Sequence, residues 1–382
     1  MKVGVPKEIC EGERRVAMTP DVVERLAAKG VEVVIERHAG ARAGIMDEDF
    51  AAAGARVVPD AASMYAEADV VVKVARPMIA SDGVEDELAK IKPGTVLIGL
   101  LRPYENGSAI EAYAKHGLTA FAMESIPRIT RAQSMDALSS QSNLVGYKAV
   151  IDAADAFGKA IPMMMTAAGT IAAAKVLVLG AGIAGLQAIA TARRLGGVVS
   201  AFDVRATVKE QVESLGAKFV EVESAETESA ETADGYAREM SEDYKRRQSE
   251  RIHETLRKMN IAISTALIPG RPAPVLITEE MVRDMPDGAV IVDIAAEAGG
   301  NCALTEPGSV IERHGVTIIG HTNFPARIAV DASALYARNL FNFLDLYIDG
   351  ESRTFAIDWE DEIVQGALVA RDGVVVNPSP AS

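Results

Sequence analysis

A glycine-rich segment, residues 176–196, constrains the fold of this chain more than any other feature. Its sequence, VLVLGAGIAGLQAIATARRLG, contains the pattern G-x-G-x-x-G at Gly180, Gly182 and Gly185, which we call the fingerprint. An apolar strand runs into the fingerprint and a helix without breakers runs out of it. Gly180 allows a tight turn, Gly182 lets the backbone approach a pyrophosphate, and Gly185 lets the helix pack close to the strand. The segment therefore predicts a Rossmann domain that holds a dinucleotide at a helix N-terminus.

The strand that follows the fingerprint ends in Asp203, 23 residues after Gly180. A carboxylate at this point accepts hydrogen bonds from an adenosine ribose and repels a 2′-phosphate, so it favours NAD over NADP. Arg205, two residues further on, weakens that preference. A degenerate Rossmann fold without a ligand is the alternative interpretation.

Strand-like and helix-like segments alternate along most of the 382 residues, a pattern that predicts parallel sheets flanked by helices. We predict an α/β protein with two Rossmann-like parallel-sheet domains joined by two long helices, about Ser139–Ala160 and Ala332–Phe343. The NAD(H)-binding domain spans about residues 144–326, and the outer domain is discontinuous, about 1–143 plus 327–382. The main predicted strands are Val3–Val5, Val31–Ile35, Asp69–Val74, Thr95–Leu100, Leu118–Ala122, Lys175–Leu179, Val198–Phe202, Ala217–Val220, Asn260–Thr265, Ala289–Asp293 and Val316–Ile319.

Charge and composition exclude several classes of function. The formal net charge of -15 argues against nucleic acid or anionic lipid as a partner, because both need a basic patch. The two isolated cysteines, Cys10 and Cys302, predict neither a disulfide framework nor a metal site. The N-terminus is charged almost at once, so we expect no signal peptide. Two uncharged stretches, Ala160–Ala174 and Val176–Ala192, are too short to span a membrane, and we expect both to form buried elements of a soluble fold.

The segment PRITRAQSMDALSSQSN, residues 127–143, is unusually polar for a region between two buried elements. A helix start capped by Asp136 or Ser139 explains one or two of its polar side chains. A polar loop at a domain boundary is also a natural wall for a cleft that binds a polar ligand. The hydrogen-bonding side chains that cluster there are Arg128, Arg131, Gln133, Asp136 and Ser139.

A strongly charged segment, Glu221–Glu254, interrupts the alternation and contains the local echo SAETESAET. It carries almost no apolar residues before Tyr236. One interpretation is a solvated loop followed by an exposed helix. The other is a mobile lid beside the cofactor site, because long loops in compact domains are often functional.

Several stretches together resemble the NAD(H)-binding component of the proton-translocating NAD(P) transhydrogenases. They include GERRVAMTP, PRITRAQSMDALSSQSN, PMMMTAAGT, DVRATVKEQVESLGAKF, TALIPGRPAPVLITEEMV, EAGGNCALTEPG and GHTNFPAR, in the order of that family. The resemblance implies direct hydride exchange between NAD(H) on this chain and NADP(H) on a partner subunit, with a membrane proton-channel subunit coupling the exchange to proton movement. It also implies a homodimer in the cytoplasm, held peripherally at the inner face of the membrane by the partner subunits.

The resemblance also assigns individual residues. It implies that Arg128, Gln133 and Asp136, with Ser139 just after, contact the nicotinamide half of the nucleotide. It matches the mobile-loop tyrosine of the family to Tyr236, which favours the lid interpretation. The other predicted cofactor contacts, besides the fingerprint, are Ile183, Asp203, Val204, Arg205, Ala266 and Leu267.

Alanine dehydrogenase, from the same superfamily, is the rival enzyme. Its substrate-binding arginine and lysine match Arg15 and Lys73. Its catalytic histidine should fall within LIGLLRP, residues 97–103, which contains none, and Glu297 stands at or near the position of its catalytic aspartate. An amino-acid dehydrogenase needs a poised acid–base group, whereas hydride transfer between two nicotinamides needs positioning. The missing histidine therefore favours transhydrogenation; a nucleotide-sensing module without transfer chemistry is the remaining alternative.

Overall fold

A computed structural model of the chain describes residues 1–222, 240–267, 270–349 and 354–376. The contacts divide it into two units, Met1–Gln141 with the described part of Pro325–Ala381, and Ser142–Phe324. Each unit contains a mainly parallel sheet with helices between its strands. The predicted α/β fold class with parallel sheets is therefore confirmed.

The first unit contains an eight-stranded sheet. Its strands, numbered along the whole chain, are β1 (Lys2–Val5), β2 (Glu32–Glu36), β3 (Arg56–Val58), β4 (Val70–Ala75), β5 (Val96–Leu100), β6 (Thr119–Ala122), β16 (Leu368–Arg371) and β17 (Val374–Val375). They follow the order β17-β16-β6-β5-β4-β1-β2-β3. Strands β1 to β6 pair in parallel, and β16 and β17 add an antiparallel edge. The three-residue strand β3 was not predicted, because so short a strand shows no periodicity.

Both faces of this sheet are buried. In β2, Val33 and Ile35 pack in one apolar cluster and Val34 packs in another, since successive side chains of a strand point to opposite faces. Layers on both faces explain why the strands are continuous apolar runs. The helices of this unit are α1 (Pro20–Ala28), α2 (Asp47–Ala52), α3 (Ala61–Glu67), α4 (Gly107–Lys115), α10 (Ala329–Tyr347) and α11 (Glu362–Ala367).

The second unit contains a seven-stranded sheet. Its strands are β9 (Lys175–Leu179), β10 (Val198–Phe202), β11 (Lys218–Phe219), β12 (Ile261–Ser264), β13 (Val290–Asp293), β14 (Val310–Arg313) and β15 (Val316–Ile319). Their order is β11-β10-β9-β12-β13-β15-β14, and only the unpredicted edge strand β14 pairs antiparallel within this sheet. The order turns outward on both sides of β9, which is the arrangement that opens a ligand crevice at the carboxyl ends of strands.

Strand β9 shows how this second sheet is built. Val176 and Val178 pack in one apolar cluster, and Leu177 and Leu179 pack in another on the opposite face. The sheet is therefore covered on both sides, as a Rossmann domain requires. The helices of the unit are α6 (Ile183–Arg194), α7 (Lys209–Ser214), α8 (Glu242–Leu256) and α9 (Glu279–Arg283).

The first of the two predicted long helices, α5 (Ala137–Ala156), crosses the boundary between the units at Gln141. The chain returns to the first unit within a short 3-10 helix, Phe324–Ile328. The second long helix, α10, begins after that return and lies within the first unit. Only α5 therefore carries the chain from one unit to the other.

The segment Ala160–Ala174 differs from its prediction. It forms an antiparallel hairpin, β7 (Met164–Thr166) and β8 (Gly169–Ile171), whose residues are exposed. The expectation of a buried element was wrong, because a segment without charges is buried only if another layer covers it, and two short strands alone supply none. Among the described residues, no helix combines the length and the apolar character that crossing a membrane would need.

Candidate functional site

The fingerprint forms the turn between β9 and α6. Gly180 has a φ of +96°, a left-handed conformation that glycine adopts without steric cost. Its N–H donates to the carbonyl of Phe202 at 2.8 Å, which ties the turn to the neighbouring strand β10. A Cβ on Gly180 would lie 2.5 Å from Oγ1 of Thr265. The turn is therefore packed against both strands that flank β9.

Gly182 is the N-cap residue of α6. A Cβ built on Gly182 meets no described atom within 4 Å, so the protein itself leaves the space beside this backbone open. The first N–H groups of a helix have no partner within the helix, and the helix dipole adds positive potential there. The turn therefore offers a surface that fits a pyrophosphate, with the side chain of Ile183 38% exposed beside it.

Gly185 sits against the turn in the first turn of α6. A Cβ there would lie 1.9 Å from the carbonyl oxygen of Gly180, which no real contact allows. On α5, a Cβ on Gly146 would lie 2.0 Å from the carbonyl oxygen of Ala184. Both contacts are with backbone, so α6 is held between the turn and α5 at two positions that only glycine can occupy. Gly146 was not predicted; its only sequence signal is a glycine inside a long helix.

Asp203 follows the last residue of β10 and is 8% exposed. One carboxylate oxygen accepts from the N–H of Ala181 (2.7 Å) and from Nη2 of Arg205 (2.7 Å). The other accepts from the backbone N–H and from Nε of Arg205, both at 2.9 Å. The structure thus places Asp203 beside the fingerprint, as predicted, and pairs it with Arg205. Val204, between them, packs partly buried against an apolar cluster.

The chain after β12 carries two predicted cofactor contacts, Ala266 and Leu267. Asn301 fixes this loop: its side chain accepts from the N–H of Ala266 at 3.0 Å and donates to the carbonyls of Ala266 and Pro274, both at 2.8 Å. Asn301 is fully buried, and Leu267 is 47% exposed. Sequence reasoning missed Asn301 as a positioning residue, although it lies in the quoted stretch EAGGNCALTEPG.

The polar loop of residues 127–143 lies in the first unit up to Gln141. Asp136 accepts hydrogen bonds from the N–H of Ser139 (2.8 Å) and from the hydroxyl of Ser139, so it caps the N-terminus of α5. Arg131 is paired with both carboxylate oxygens of Asp361, at 2.8 Å and 2.6 Å. These two side chains therefore have structural roles within the unit.

Arg128 and Gln133 of the same loop are exposed. Gln133 lies in a 3-10 helix, Thr130–Met135, which also contacts α10. Its exposed amide can donate and accept at once. The predicted residues thus fall into two groups: Arg128, Gln133, Asp136 and Ser139 in the first unit, and the fingerprint, Ile183, Asp203, Val204, Arg205, Ala266 and Leu267 in the second. Tyr236 lies outside the described residues.

Lys73, the match to the substrate-binding lysine of the rival enzyme, is completely buried. Its Nζ lies 2.7 Å from a carboxylate oxygen of Glu87 and 3.2 Å from one of Glu8. Burial disfavours its charge, but Glu8 and Glu87 together raise the pKa of Lys73. Burial raises the pKa of Glu8 to about 7. Lys73 therefore already has two carboxylate partners within the protein.

Arg15, the match to the substrate-binding arginine, is also buried and paired internally. Its Nε and Nη2 contact the two carboxylate oxygens of Glu13 at 2.8 Å and 2.6 Å, and Nη1 donates to Gln141 at 2.8 Å. Glu297, in the second unit, is exposed and accepts from the N–H of Asn323. A substrate carboxylate would have to displace internal carboxylates from both Lys73 and Arg15. Among the residues described, no group of three or more metal-ligating side chains is found.

The sequence matches two family models in the order expected for this fold. Residues 4–145 match the model of the alanine dehydrogenase/PNT N-terminal domain, and residues 149–378 match that of the C-terminal domain. The first of the separate polypeptides that form NAD(P) transhydrogenase subunit alpha in Rhodospirillum rubrum is 56% identical over 379 residues, which covers 99% of this chain and 98% of that protein. This chain belongs to the alanine dehydrogenase/PNT family and, within it, to the NAD(P) transhydrogenase alpha subunits.

Solved structures agree with this membership. A transhydrogenase from Sinorhizobium meliloti is 48% identical with a TM-score of 0.88, and the match covers 98% of this chain and 100% of that chain. An L-alanine dehydrogenase is 26% identical with a TM-score of 0.80, covering 99% and 98% respectively. The family predicted from the sequence motifs is thereby confirmed, and both solved structures share its α/β fold.

Proposed function

We propose that this chain binds NAD(H) and exchanges a hydride directly with NADP(H) held on a partner subunit. The observation that carries the proposal is the fingerprint turn, where Gly182 leaves open space at the N-terminus of α6. NAD(H), when bound, supplies or accepts the hydride. The chain itself has to hold that nucleotide in one geometry, because two reacting carbons must approach to about 3–3.5 Å.

The second unit supplies the proposed nucleotide contacts. The N–H groups at the start of α6 face the pyrophosphate, and Gly182 allows the close approach. Asp203 accepts the hydroxyls of the adenosine ribose. Asn301, through its three hydrogen bonds to the loop, holds Ala266 and Leu267 in place. The same cofactor role is proposed for Ile183, Val204, Arg205 and, from the sequence alone, Tyr236.

The first unit supplies the proposed positioning group for the nicotinamide. Gln133 and Arg128 present exposed polar side chains, and Asp136 with Ser139 fixes the loop by capping α5. None of these groups has to carry a proton during hydride transfer. The loop therefore acts by aligning the nicotinamide rather than by acid–base catalysis.

Oxidation of alanine is the second candidate, because the family includes alanine dehydrogenases. Two observations weigh against it. Lys73 and Arg15 are buried against Glu8, Glu87 and Glu13, and β5 with the residues that follow it carries no histidine in LIGLLRP. Burial of further charge beside these pairs would be costly, so a substrate carboxylate has no ready site there.

We further propose a homodimer that joins an NADP(H)-binding subunit and a membrane proton-channel subunit, which hold it in the cytoplasm at the inner face of the membrane. The hairpin of β7 and β8 supports the homodimer. Met163 (61% exposed), Met165 (80%) and Ile171 (45%) form an apolar surface on it, and contiguous exposed apolar groups mark interaction sites.

A hydride-transfer assay tests the proposed function. The purified chain is supplied with NADH and an NADP analogue, with and without a separate NADP-binding subunit, and the reduced analogue is followed by absorbance. We expect transfer only with the partner present. Alanine-dependent reduction of NAD by the isolated chain, abolished by Lys73→Ala, would overturn the assignment in favour of an amino-acid dehydrogenase.

A further inference from the structure

The carboxylate of Asp203 has every acceptor position filled by the protein. An ionised carboxylate offers about four lone-pair sites. Two of them take the backbone N–H groups of Ala181 and Arg205, at 2.7 Å and 2.9 Å. The other two take Nε and Nη2 of the Arg205 side chain, at 2.9 Å and 2.7 Å. A ribose hydroxyl therefore cannot donate to Asp203 while this guanidinium stays in place.

The four bonds differ in what would happen if the side chain of Arg205 withdrew. The two backbone donors belong to the fingerprint turn and to the chain after β10, so they would continue to hold the carboxylate in position. Each oxygen of Asp203 would then expose one acceptor. Two acceptors side by side match the two hydroxyls of an adenosine ribose, which is the pairing expected at the end of this strand.

Arg205 also changes the charge that a nucleotide meets. A forked arginine–carboxylate pair is among the stronger hydrogen-bonded ion pairs, and this one is only partly exposed, at 14% and 5% of the two side chains. The repulsion by which Asp203 would exclude a 2′-phosphate is largely cancelled while the pair is formed. A guanidinium beside that position is itself a group that binds phosphate.

Resting on the proposed NAD(H) function, we infer that Arg205 sets the nucleotide selectivity of this site by competing with the adenosine ribose for Asp203. With Arg205 on the carboxylate, the site discriminates weakly between NADH and NADPH. When Arg205 withdraws, Asp203 accepts the ribose hydroxyls and excludes the 2′-phosphate. Arg205 is in this account a specificity-determining residue that opposes NADH binding.

Dissociation constants for NADH and NADPH, measured by calorimetry on the full chain, test the inference. In Arg205→Ala we expect NADH to bind at least as tightly as in the wild type, and the NADH preference over NADPH to rise about tenfold or more. Arg205→Lys, which keeps the charge but cannot fork across both oxygens, should give an intermediate preference. Arg194→Ala, at an exposed arginine of α6, makes the same change in net charge and should leave the preference unchanged.

A double-mutant cycle with Asp203→Asn separates this role from a general effect on folding. If Arg205 acts through Asp203, the Arg205→Ala effect on the NADH preference disappears in the Asp203→Asn background. Weaker NADH binding in Arg205→Ala, or an unchanged preference, would overturn the inference and make Arg205 an ordinary contact. Failure of the wild-type chain to bind NADH at all would instead overturn the proposed function on which the inference rests.

Discussion

Replacing Gly185 by alanine tests how the dinucleotide turn is built. The added Cβ would lie 1.9 Å from the carbonyl oxygen of Gly180, whereas carbon and oxygen normally approach to about 3.3 Å. Helix and turn must therefore separate by roughly 1.4 Å, since neither backbone group can rotate away. Overpacking of this kind costs about 1–3 kcal/mol, which lowers the melting temperature by about 2–4 °C for each kcal/mol in a domain of this size.

Gly182→Ala provides the matched control. A Cβ there meets no described atom within 4 Å, and the backbone of Gly182 (φ -76°, ψ -166°) is in the extended region that alanine adopts freely. We therefore expect calorimetry without nucleotide to show an unchanged melting temperature. NADH binding should still weaken about tenfold or more, because the methyl group occupies the space into which the pyrophosphate must come.

The two variants separate folding from binding. Gly185→Ala should lose both stability and NADH affinity, while Gly182→Ala should lose affinity alone. If Gly182→Ala bound NADH like the wild type, the pyrophosphate would not lie against this turn. If Gly185→Ala melted at the wild-type temperature, the close approach between helix and turn would not exist, and the reasoning from that contact would be refuted.

Three further predictions concern catalysis, assembly and pH. Gln133→Asn should keep NADH affinity within a few-fold by calorimetry yet slow transhydrogenation by about 10²-fold, because it shifts only the alignment; loss of affinity instead would make Gln133 a simple binding contact. Met165→Asp should shift the sedimenting species toward monomer at micromolar concentration, whereas Met46→Asp, at another exposed methionine, should not; equal behaviour would remove the hairpin from the interface. Because the pKa of Glu8 in the folded chain is about 7 against an ordinary 4.5, the folded state binds this proton more tightly, and the free energy of unfolding should fall as pH rises through that window, by on the order of 2 kcal/mol. Urea unfolding at pH 5 and pH 8 should show a smaller fall in Glu8→Gln, and an identical fall would contradict the burial argument.

The fingerprint turn could be predicted because its determinants are local. A buried strand, three glycines at fixed spacing and a helix follow one another within a few residues, so the roles of Gly180, Gly182 and Gly185 can be inferred from the sequence. The same holds for the strands of both sheets, whose apolar runs reflect burial on two faces. In the outer loop, Asp136 took the capping role that was one of its two open interpretations.

The features that sequence reasoning missed depend on contacts between distant residues. Asn301 reaches back 35 positions to Ala266, and no local pattern marks an asparagine for that task. The pairing of Arg205 with Asp203 depends on a rotamer rather than on spacing. The exposed hairpin was missed for another reason: an apolar segment predicts burial only when some other layer covers it, and sequence patterns do not show which layers exist.

The three consecutive methionines of the hairpin, Met163, Met164 and Met165, give this chain a chemical reporter. Their thioether sulfurs are the kind that peroxide converts to the polar sulfoxide when solvent reaches them, and all three side chains are exposed in the single chain, at 61%, 41% and 80%. Mass spectrometry after brief oxidation can therefore follow how far this segment is shielded from solvent as other chains are added. The same reactivity makes storage under reducing, peroxide-free conditions advisable, since a sulfoxide at these positions would replace an apolar surface by a polar one.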